Sequence, residues 1–238
     1  LIRDYERFAK EANEICKGRV YTDHLRRYAY GVDASCYSYL PKVVVKAEDE
    51  REVRRLIRLC QQCGTPFTFR AAGSSLSGQC SSEDVLIVCN DGFKKMEVID
   101  DGKALKCECG VIGSDANDLL KPYNRKIGPD PATLATALVG GILNNNSSGM
   151  CCGTAQNSYK TIRSIRVVLL DGSILDTSDQ KSINQFLKEK PKMVEDILQL
   201  RKDILADEEL THLIHHKYKI KNTTGYGLNS LVDFEDII

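Results

Sequence analysis

The stretch VVVKAEDEREVRRLIRLCQQCGTPFTFRAAGSSLSGQ, residues 43–79, decides the fold. Val43-Val44-Val45 is a short apolar run of the kind found in buried strands. Asp49 followed three residues later by Glu52 has the form of a capping box, which opens a helix. Behind it Val53, Leu56, Ile57, Leu59 and Cys60 fall on one helical face, and Gly64 stands where a C-cap belongs. Phe67-Thr68-Phe69 is the next strand. Strand, helix and strand in this order predict a βαβ unit in which 43–45 and 67–69 pair in parallel. A loop of small residues, Arg70–Gln79, follows at once.

Outward from this unit the pattern mixes both periods. Residues 1–30 are polar with helical spacing, Tyr5, Phe8, Ala9, Ala12 and Ile15 recurring at three and four, until Gly18. Val85–Cys89 is a strand. Met96–Ile99 and Ala104–Cys109 flank Asp101-Gly102, and Ile162–Leu170 and Ile174–Asp176 flank Asp171-Gly172; both read as hairpins. Gly113–Leu120 is a short helix, and Gly128–Thr133 a Pro-rich turn before a second helix through Leu138, with Asp130 or Thr133 available as its cap. Gly140–Gly153 is a long loop. Lys181–Leu205 is a charged amphipathic helix interrupted at Pro191, continued by Glu208–His216, and Asn222–Asn229 is polar. Hairpins among helices indicate an α+β fold rather than strict alternation. The division expected is a helical extension over 1–36, a first α+β subdomain over about 37–92 and a second over about 93–238.

The 238 residues hold 33 Lys+Arg against 33 Asp+Glu. A formal charge of +0 gives no electrostatic ground for a nucleic-acid partner. The longest strongly apolar uncharged stretch, Ala132–Leu143, is too short to span a bilayer, and no basic segment followed by an apolar run marks a secretion signal. Placement in the cytoplasm, free or peripheral to a membrane, is the expectation. Ten cysteines inside apolar segments read as buried free thiols of a reducing compartment. Cys60 and Cys63 have CxxC spacing without a second pair or a nearby His. Cys107 and Cys109, alternating along one strand, share a face. Cys151 and Cys152 are adjacent and chelate poorly. No metal site is assigned, and consecutive His215 and His216 diverge by about 100° on a helix.

Three segments carry chemistry. In Arg70–Gln79 two Gly and three Ser let backbone N–H groups and hydroxyls face an anion at close range, as a phosphate or pyrophosphate cradle does. No Gly-Lys-Ser/Thr follows, so it is not a P-loop, nor is it a GxGxxG turn; a plain surface loop has the same spacing. Gly128-Pro-Asp-Pro-Ala-Thr133 is a stiff turn. Gly140–Gly153, with four Gly, three Asn and two Ser, is dense in donors and acceptors with little bulk.

Taken in order, these loops resemble the phosphate loop, Pro-Asp-Pro turn and Gly-Asn loop of FAD-linked oxidases of the vanillyl-alcohol oxidase or PCMH type. Asp33-Ala-Ser35 fits that family's opening segment and Lys221-Asn-Thr-Thr-Gly-Tyr226 its closing one. Met150-Cys-Cys-Gly-Thr-Ala-Gln-Asn157 is similar to the large bacterial proteins joining an FAD domain to an iron–sulfur domain, the D-lactate and D-2-hydroxyglutarate dehydrogenases. The resemblance implies two α+β subdomains of the FAD-binding PCMH-type fold. It implies that Ala72, Gly73, Ser74, Ser75 and Ser77 hold the FAD pyrophosphate beside Gln79. Pro129, Asp130 and Thr133 would approach the flavin. Gly140, Gly141, Asn145, Asn146, Ser148, Gly149, Gly153, Thr154 and Asn157 would line the ribityl and ring portion, and Asn222, Gly225 and Tyr226 would close over it. Ser74, Asn144 and Ser147 depart from the residues common at their positions. The first loop lacks the His that some members use for covalent attachment, so FAD is expected to be noncovalent.

The resemblance further implies oxidation of a D-2-hydroxy acid by hydride transfer to FAD. The substrate cap, the catalytic base and the iron–sulfur cluster would lie outside this chain, which reads as the FAD-binding domain of a larger enzyme. The electron acceptor stays open. So do a glycolate or alkylglycerone-phosphate type of flavin oxidase, a non-catalytic nucleotide module using Arg70–Gln79, and a structural thiol or metal protein.

Overall fold

The computed structural model describes residues 3–222 and 226–234. These fall into two compact units. The first comprises residues up to Ile127 with Pro131–Asn144 and Val168–Ser173; the second comprises Gly128–Asp130, Asn145–Val167 and the residues from Ile174 on. No unit boundary falls at 92/93.

The first unit is built on a four-stranded sheet. Helix α1 (Tyr5–Ile15), strand β1 (Val20–Tyr21) and helix α2 (His24–Ala29) precede β2 (Val43–Lys46), α3 (Glu50–Cys63), β3 (Phe67–Arg70) and β4 (Val85–Val88). The order is β1-β2-β4-β3. β2 and β3 therefore do not pair with each other. β4 lies between them, parallel to both, with Ile87 opposite Val45 on one side and Phe69 on the other. The expected βαβ unit exists, but a strand from outside it occupies its centre. Both strands need parallel partners, and VLIV, fully buried, is the most apolar candidate for a central position.

The alternation of strand side chains separates two apolar layers. Val43, Val45, Val85 and Ile87 face α1 and α3, joined there by Phe8, Ala12, Leu56, Ile57 and Cys60. Val44, Leu86 and Val88 face the other way, under Tyr21 and Tyr30. Residues 5–15, read as part of an extension, thus contribute to the main core. The segment 1–30 is not helical throughout, since β1 pairs antiparallel with β2.

The ends of α3 form as their sequence predicts, with one change. The Asp49 side chain accepts from the Glu52 N–H at 2.7 Å, and Gly64 adopts the left-handed conformation at φ 63°. The Glu52 carboxylate does not return to Asp49. It accepts from the Glu48 N–H at 2.8 Å and receives both terminal nitrogens of Arg19 at 2.5 and 2.8 Å. Burial alone would raise the Glu52 pKa, but the hydrogen bonds from Arg19, the Glu48 N–H and Cys16, with the Arg19 charge, together outweigh it and hold the carboxyl below its usual range.

A hairpin of β5 (Met96–Ile99) and β6 (Ala104–Cys107) turns through Asp100, Asp101 and Gly102, all at positive φ. Cys109 lies beyond β6, so the expected alternation with Cys107 is broken. Helix α4 (Gly113–Leu120) follows, then a 3-10 turn over Lys121–Tyr123. The helix expected through Leu138 is absent. Leu134 N–H donates to Pro131, and Thr136 and Ala137 N–H to Thr133, in a run of turns. Helix α5 (Val139–Asn144) instead occupies the start of the expected Gly-Asn loop. A Cβ at Gly140 would sit 2.7 Å from the Cys109 Cβ and 3.0 Å from its carbonyl oxygen, so this close approach requires glycine.

The second unit carries α6 (Ser158–Thr161), most of the pair β7 (Arg166–Val168) and β8 (Ile174–Asp176), and four further helices. These are α7 (Gln180–Glu189), α8 (Pro191–Ala206), α9 (Glu208–Lys217) and α10 (Ser230–Asp233). Pro191 does not interrupt a helix; it begins α8, where its missing N–H costs nothing. All ten cysteines are free thiols. Burial pushes Cys16, Cys60 and Cys89 up to about 12. No helix among the described residues is long and apolar enough to cross a membrane, and no group of three metal-ligating side chains occurs among them.

Two outcomes are expected. Leu56→Ala, at a fully buried position between α3 and the sheet, should cost about 2–5 kcal/mol in chemical denaturation. Glu52→Gln should cost about 1–3 kcal/mol at neutral pH through the lost charged hydrogen bonds. The folded Glu52 pKa is lowered, so its contribution is complete above the unfolded value of about 4.3. The gap between wild type and Glu52→Gln should therefore close as pH falls through the lower folded pKa. A gap unchanged from pH 7 to pH 3 would refute the role given to this carboxylate.

Candidate functional site

The loop after β3 leaves the carboxyl end of a parallel strand, where open sheets bind ligands. Its backbone stands open. Among the described residues, no N–H from Ala72 to Leu76 donates to a protein oxygen; the Ser75 N–H alone has a partner, the Cys80 sulfur. The next donor, Ser77 N–H, reaches only the Ser75 hydroxyl at 3.3 Å, and that hydroxyl donates to Gln79 Oε1 at 2.5 Å. Gly73 sits at φ 77° and Gly78 at φ 74°. The loop is nevertheless fixed. Gly73 O accepts from Ala34 N–H at 3.1 Å, the Cys80 thiol donates to Asp33 at 3.3 Å, and the Tyr37 ring lies against Gly78. Asp33 is engaged in turn by the Ser35 N–H at 2.8 Å. Burial would raise its pKa, but the Ser35 and Cys80 hydrogen bonds hold it below the usual range. Asp33-Ala-Ser35 is thus the brace of the loop.

Other expected site residues of the first unit are placed unevenly. A Cβ at Gly141 would lie 3.3 Å from the Ala71 Cβ, which puts α5 beside the start of the loop. Gly140 packs on Cys109, and Thr133 is exposed in its turn.

In the second unit Asn146, Ser148, Thr154, Asn157 and Asn222 line one cavity of about 240 Å³, together with Lys160, Tyr218, Lys221, Asn229 and Asp233. Local rules build it. Asn146 adopts φ 42°, which Asn tolerates, and its Oδ1 accepts from Tyr159 N–H at 3.1 Å. Asn157 caps α6 by accepting from Lys160 N–H at 3.0 Å. Lys221 Nζ donates to the Ser148 carbonyl at 3.3 Å, and Lys160 Nζ lies 3.5 Å from Asp233.

Asp130 does not cap a helix. Its Oδ1 accepts from Cys152 N–H at 3.1 Å, and hydrogen bonds from Cys152 and Cys151 hold it below the usual carboxylate range. A Cβ at Gly149 would overlap the Asp130 carbonyl oxygen, so this contact also requires glycine. Pro129 stands beside this cluster in the chain. Asn145 donates to Ser147 Oγ at 3.2 Å, Gly153 at φ 51° faces open space, and Tyr226 is exposed with its carbonyl bonded by Tyr218 OH. None of these three lines the cavity. Gly225 lies outside the described residues.

The two clusters differ chemically. The first offers N–H groups mostly without protein partners, and hydroxyls, over small side chains, which suits a phosphate or pyrophosphate. The second offers amides, hydroxyls and two ammonium groups, which suit a hydroxylated or anionic ligand. Arg70, Lys160 and Lys221 were not among the sequence candidates. Their signal was weak, since each is one cation among 33 and only the fold places it at a site.

Comparison with known proteins gives the family and the fold. The chain is 28% identical over 164 residues to the D-2-hydroxyglutarate dehydrogenase of Escherichia coli, covering 67% of this chain and 16% of that protein. It is 26% identical over 157 residues to the glycolate oxidase subunit GlcD of Bacillus subtilis, covering 63% of this chain and 33% of the relative. The chain thus spans a sixth to a third of the length of these relatives. Among solved structures, an alkyldihydroxyacetonephosphate synthase superposes with a TM-score of 0.63 at 19% identity, covering 76% of this chain and 38% of that one. The fold is therefore the α+β fold of the PCMH-type FAD-binding oxidases. Residues 41–178, more than half of the chain, match the FAD binding domain family, and the protein belongs to that family.

Proposed function

We propose that this chain is the FAD-binding part of a flavin-dependent dehydrogenase that oxidises a D-2-hydroxy acid, of the D-2-hydroxyglutarate or D-lactate type. The observation that supports the cofactor reading is the row of N–H groups at Ala72–Leu76, of which only that of Ser75 has a protein partner among the described residues, in a loop inside the stretch that matches the FAD binding domain family. The residues fit the cofactor. Ala72, Gly73, Ser74, Ser75 and Ser77 would hold the pyrophosphate with backbone and hydroxyl donors, and Gln79 orients Ser75. The amides and hydroxyls of Asn146, Ser148, Thr154, Asn157 and Asn222 would hold the polyhydroxylated and ring portion. Pro129, Asp130, Thr133, Gly140, Gly141, Asn145, Gly149, Gly153, Gly225 and Tyr226 keep the roles that the resemblance implies. The loop has no His, and attachment is noncovalent.

When bound, FAD supplies a hydride acceptor. The chain's own residues bind and orient it; no general base is assigned among them. The base that takes the hydroxyl proton, the cation for the substrate carboxylate, the substrate cap and an iron–sulfur relay would belong to parts of the enzyme beyond this chain. The D-2-hydroxyglutarate dehydrogenase names among the relatives support the substrate class. A second reading, a glycolate oxidase or alkylglycerone-phosphate type, is favoured by the GlcD relative and the superposed synthase. We place the enzyme in the cytoplasm, free or peripheral to a membrane.

The test is the absorption spectrum of the purified chain before and after addition of FAD. Flavin bands that travel with the protein through gel filtration are expected, and a chain that cannot be loaded would overturn the cofactor reading. Gly73→Val should abolish loading while leaving the circular dichroism unchanged, because its side chain would occupy both the loop and the space of a neighbouring guanidinium. The enzyme containing this domain should reduce its flavin with D-2-hydroxyglutarate or D-lactate. Reduction by glycolate alone would favour the second reading.

A further inference from the structure

Arg70 ends β3 and opens the loop. Nη1 donates to the Tyr30 carbonyl at 3.1 Å, and the guanidinium stands 5.8 Å from the Tyr30 ring centroid. Neither contact is anionic. No carboxylate lies within ion-pair distance of Arg70 among the described residues. The acid that feels its charge, Asp33, is taken up by the Ser35 N–H and the Cys80 thiol.

The guanidinium folds back over its own loop. A Cβ at Gly73 would overlap Nη2 and approach Nε to 2.9 Å. The Gly73 position is therefore filled by the Arg70 side chain. Among the described residues, a partly buried cation with no ion-pair partner thus lies against a run of backbone N–H groups of which only that of Ser75 has an acceptor, the Cys80 sulfur. Each feature alone is unremarked in many loops; together they leave the same small space short of negative charge and of hydrogen-bond acceptors.

We propose that Arg70 is the cationic arm of this loop, binding a pyrophosphate group jointly with the N–H groups of Ala72–Leu76. Gly73 is then required for a second reason, to admit the guanidinium. Tyr30 aims the arm through its carbonyl. The owner of the pyrophosphate rests on the FAD reading above; the pyrophosphate chemistry rests on the loop.

The experiment titrates the folded chain with FAD, ADP and inorganic pyrophosphate by calorimetry, at low and high ionic strength. Wild type should bind all three, with affinity falling as salt rises. Arg70→Met should weaken each by about 10–100-fold, the loss expected for a charged hydrogen-bonding partner, and should flatten the salt dependence. Arg70→Lys should restore the salt dependence and only part of the affinity, because the ammonium lacks the planar fork. Gly73→Ala, which displaces the guanidinium without removing it, should weaken binding in the same direction and serves if Arg70→Met fails to fold. Unchanged affinity and salt slope in Arg70→Met or, failing that, in Gly73→Ala would overturn the proposal, as would a wild-type chain that binds none of the three. Arg70-dependent binding of ADP and pyrophosphate without FAD would uphold Arg70 and overturn the flavin reading instead.

Discussion

A run of peptide N–H groups with no acceptor survives in a folded chain only if both ends of the run are pinned and water or a ligand can reach the middle. The loop after β3 meets both conditions. β3 is locked into parallel register with β4 at one end, and the Cys80–Asp33 hydrogen bond holds the other. Ala34 and Tyr37 brace the centre. The loop is therefore ordered by the chain itself, and a ligand that bound it would have little left to order. The sheet, the opening segment and the small residues of the loop each serve this one constraint.

The elements legible in the sequence were those whose signals are local. The Asp49 cap, the Gly64 stop, the apolar face of α3 and the two Asp-Gly hairpins are each decided within a few residues. The readings that failed depended on distant partners. Nothing within 43–70 says that 85–88 will sit between its two strands. Gly140 and Gly141 argue against a helix on propensity, yet α5 forms there, with Gly140 packed closely on Cys109. Glu52 has the spacing of a capping box, yet a cation from a separate strand-flanking position, Arg19, commands its carboxylate.

The candidate site shows the same division. The small and polar loop residues stood out by composition. In the second unit five of the expected residues share one cavity, because Asn146 and Asn157 carry out local backbone tasks, a left-handed turn and a helix cap, that also fix their side chains. The cations were illegible for the opposite reason. A lysine or arginine acquires meaning only from the groups around it, and Arg70 acquires its meaning from the absence of a side chain three residues later.

The interposition of β4 also dictates an order of assembly. As the polypeptide emerges during synthesis, β2, α3 and β3 are complete roughly 15 residues before the strand that must join them. During that interval two apolar strands, VVVK and FTFR, have their backbone edges unpaired on the sides that β4 will fill. Such edges are templates for intermolecular pairing. The intervening segment is the small, polar loop itself, flexible enough to let β4 fold back quickly and too polar to pair on its own. Its small and polar composition thus also shortens the time in which the nascent sheet can aggregate.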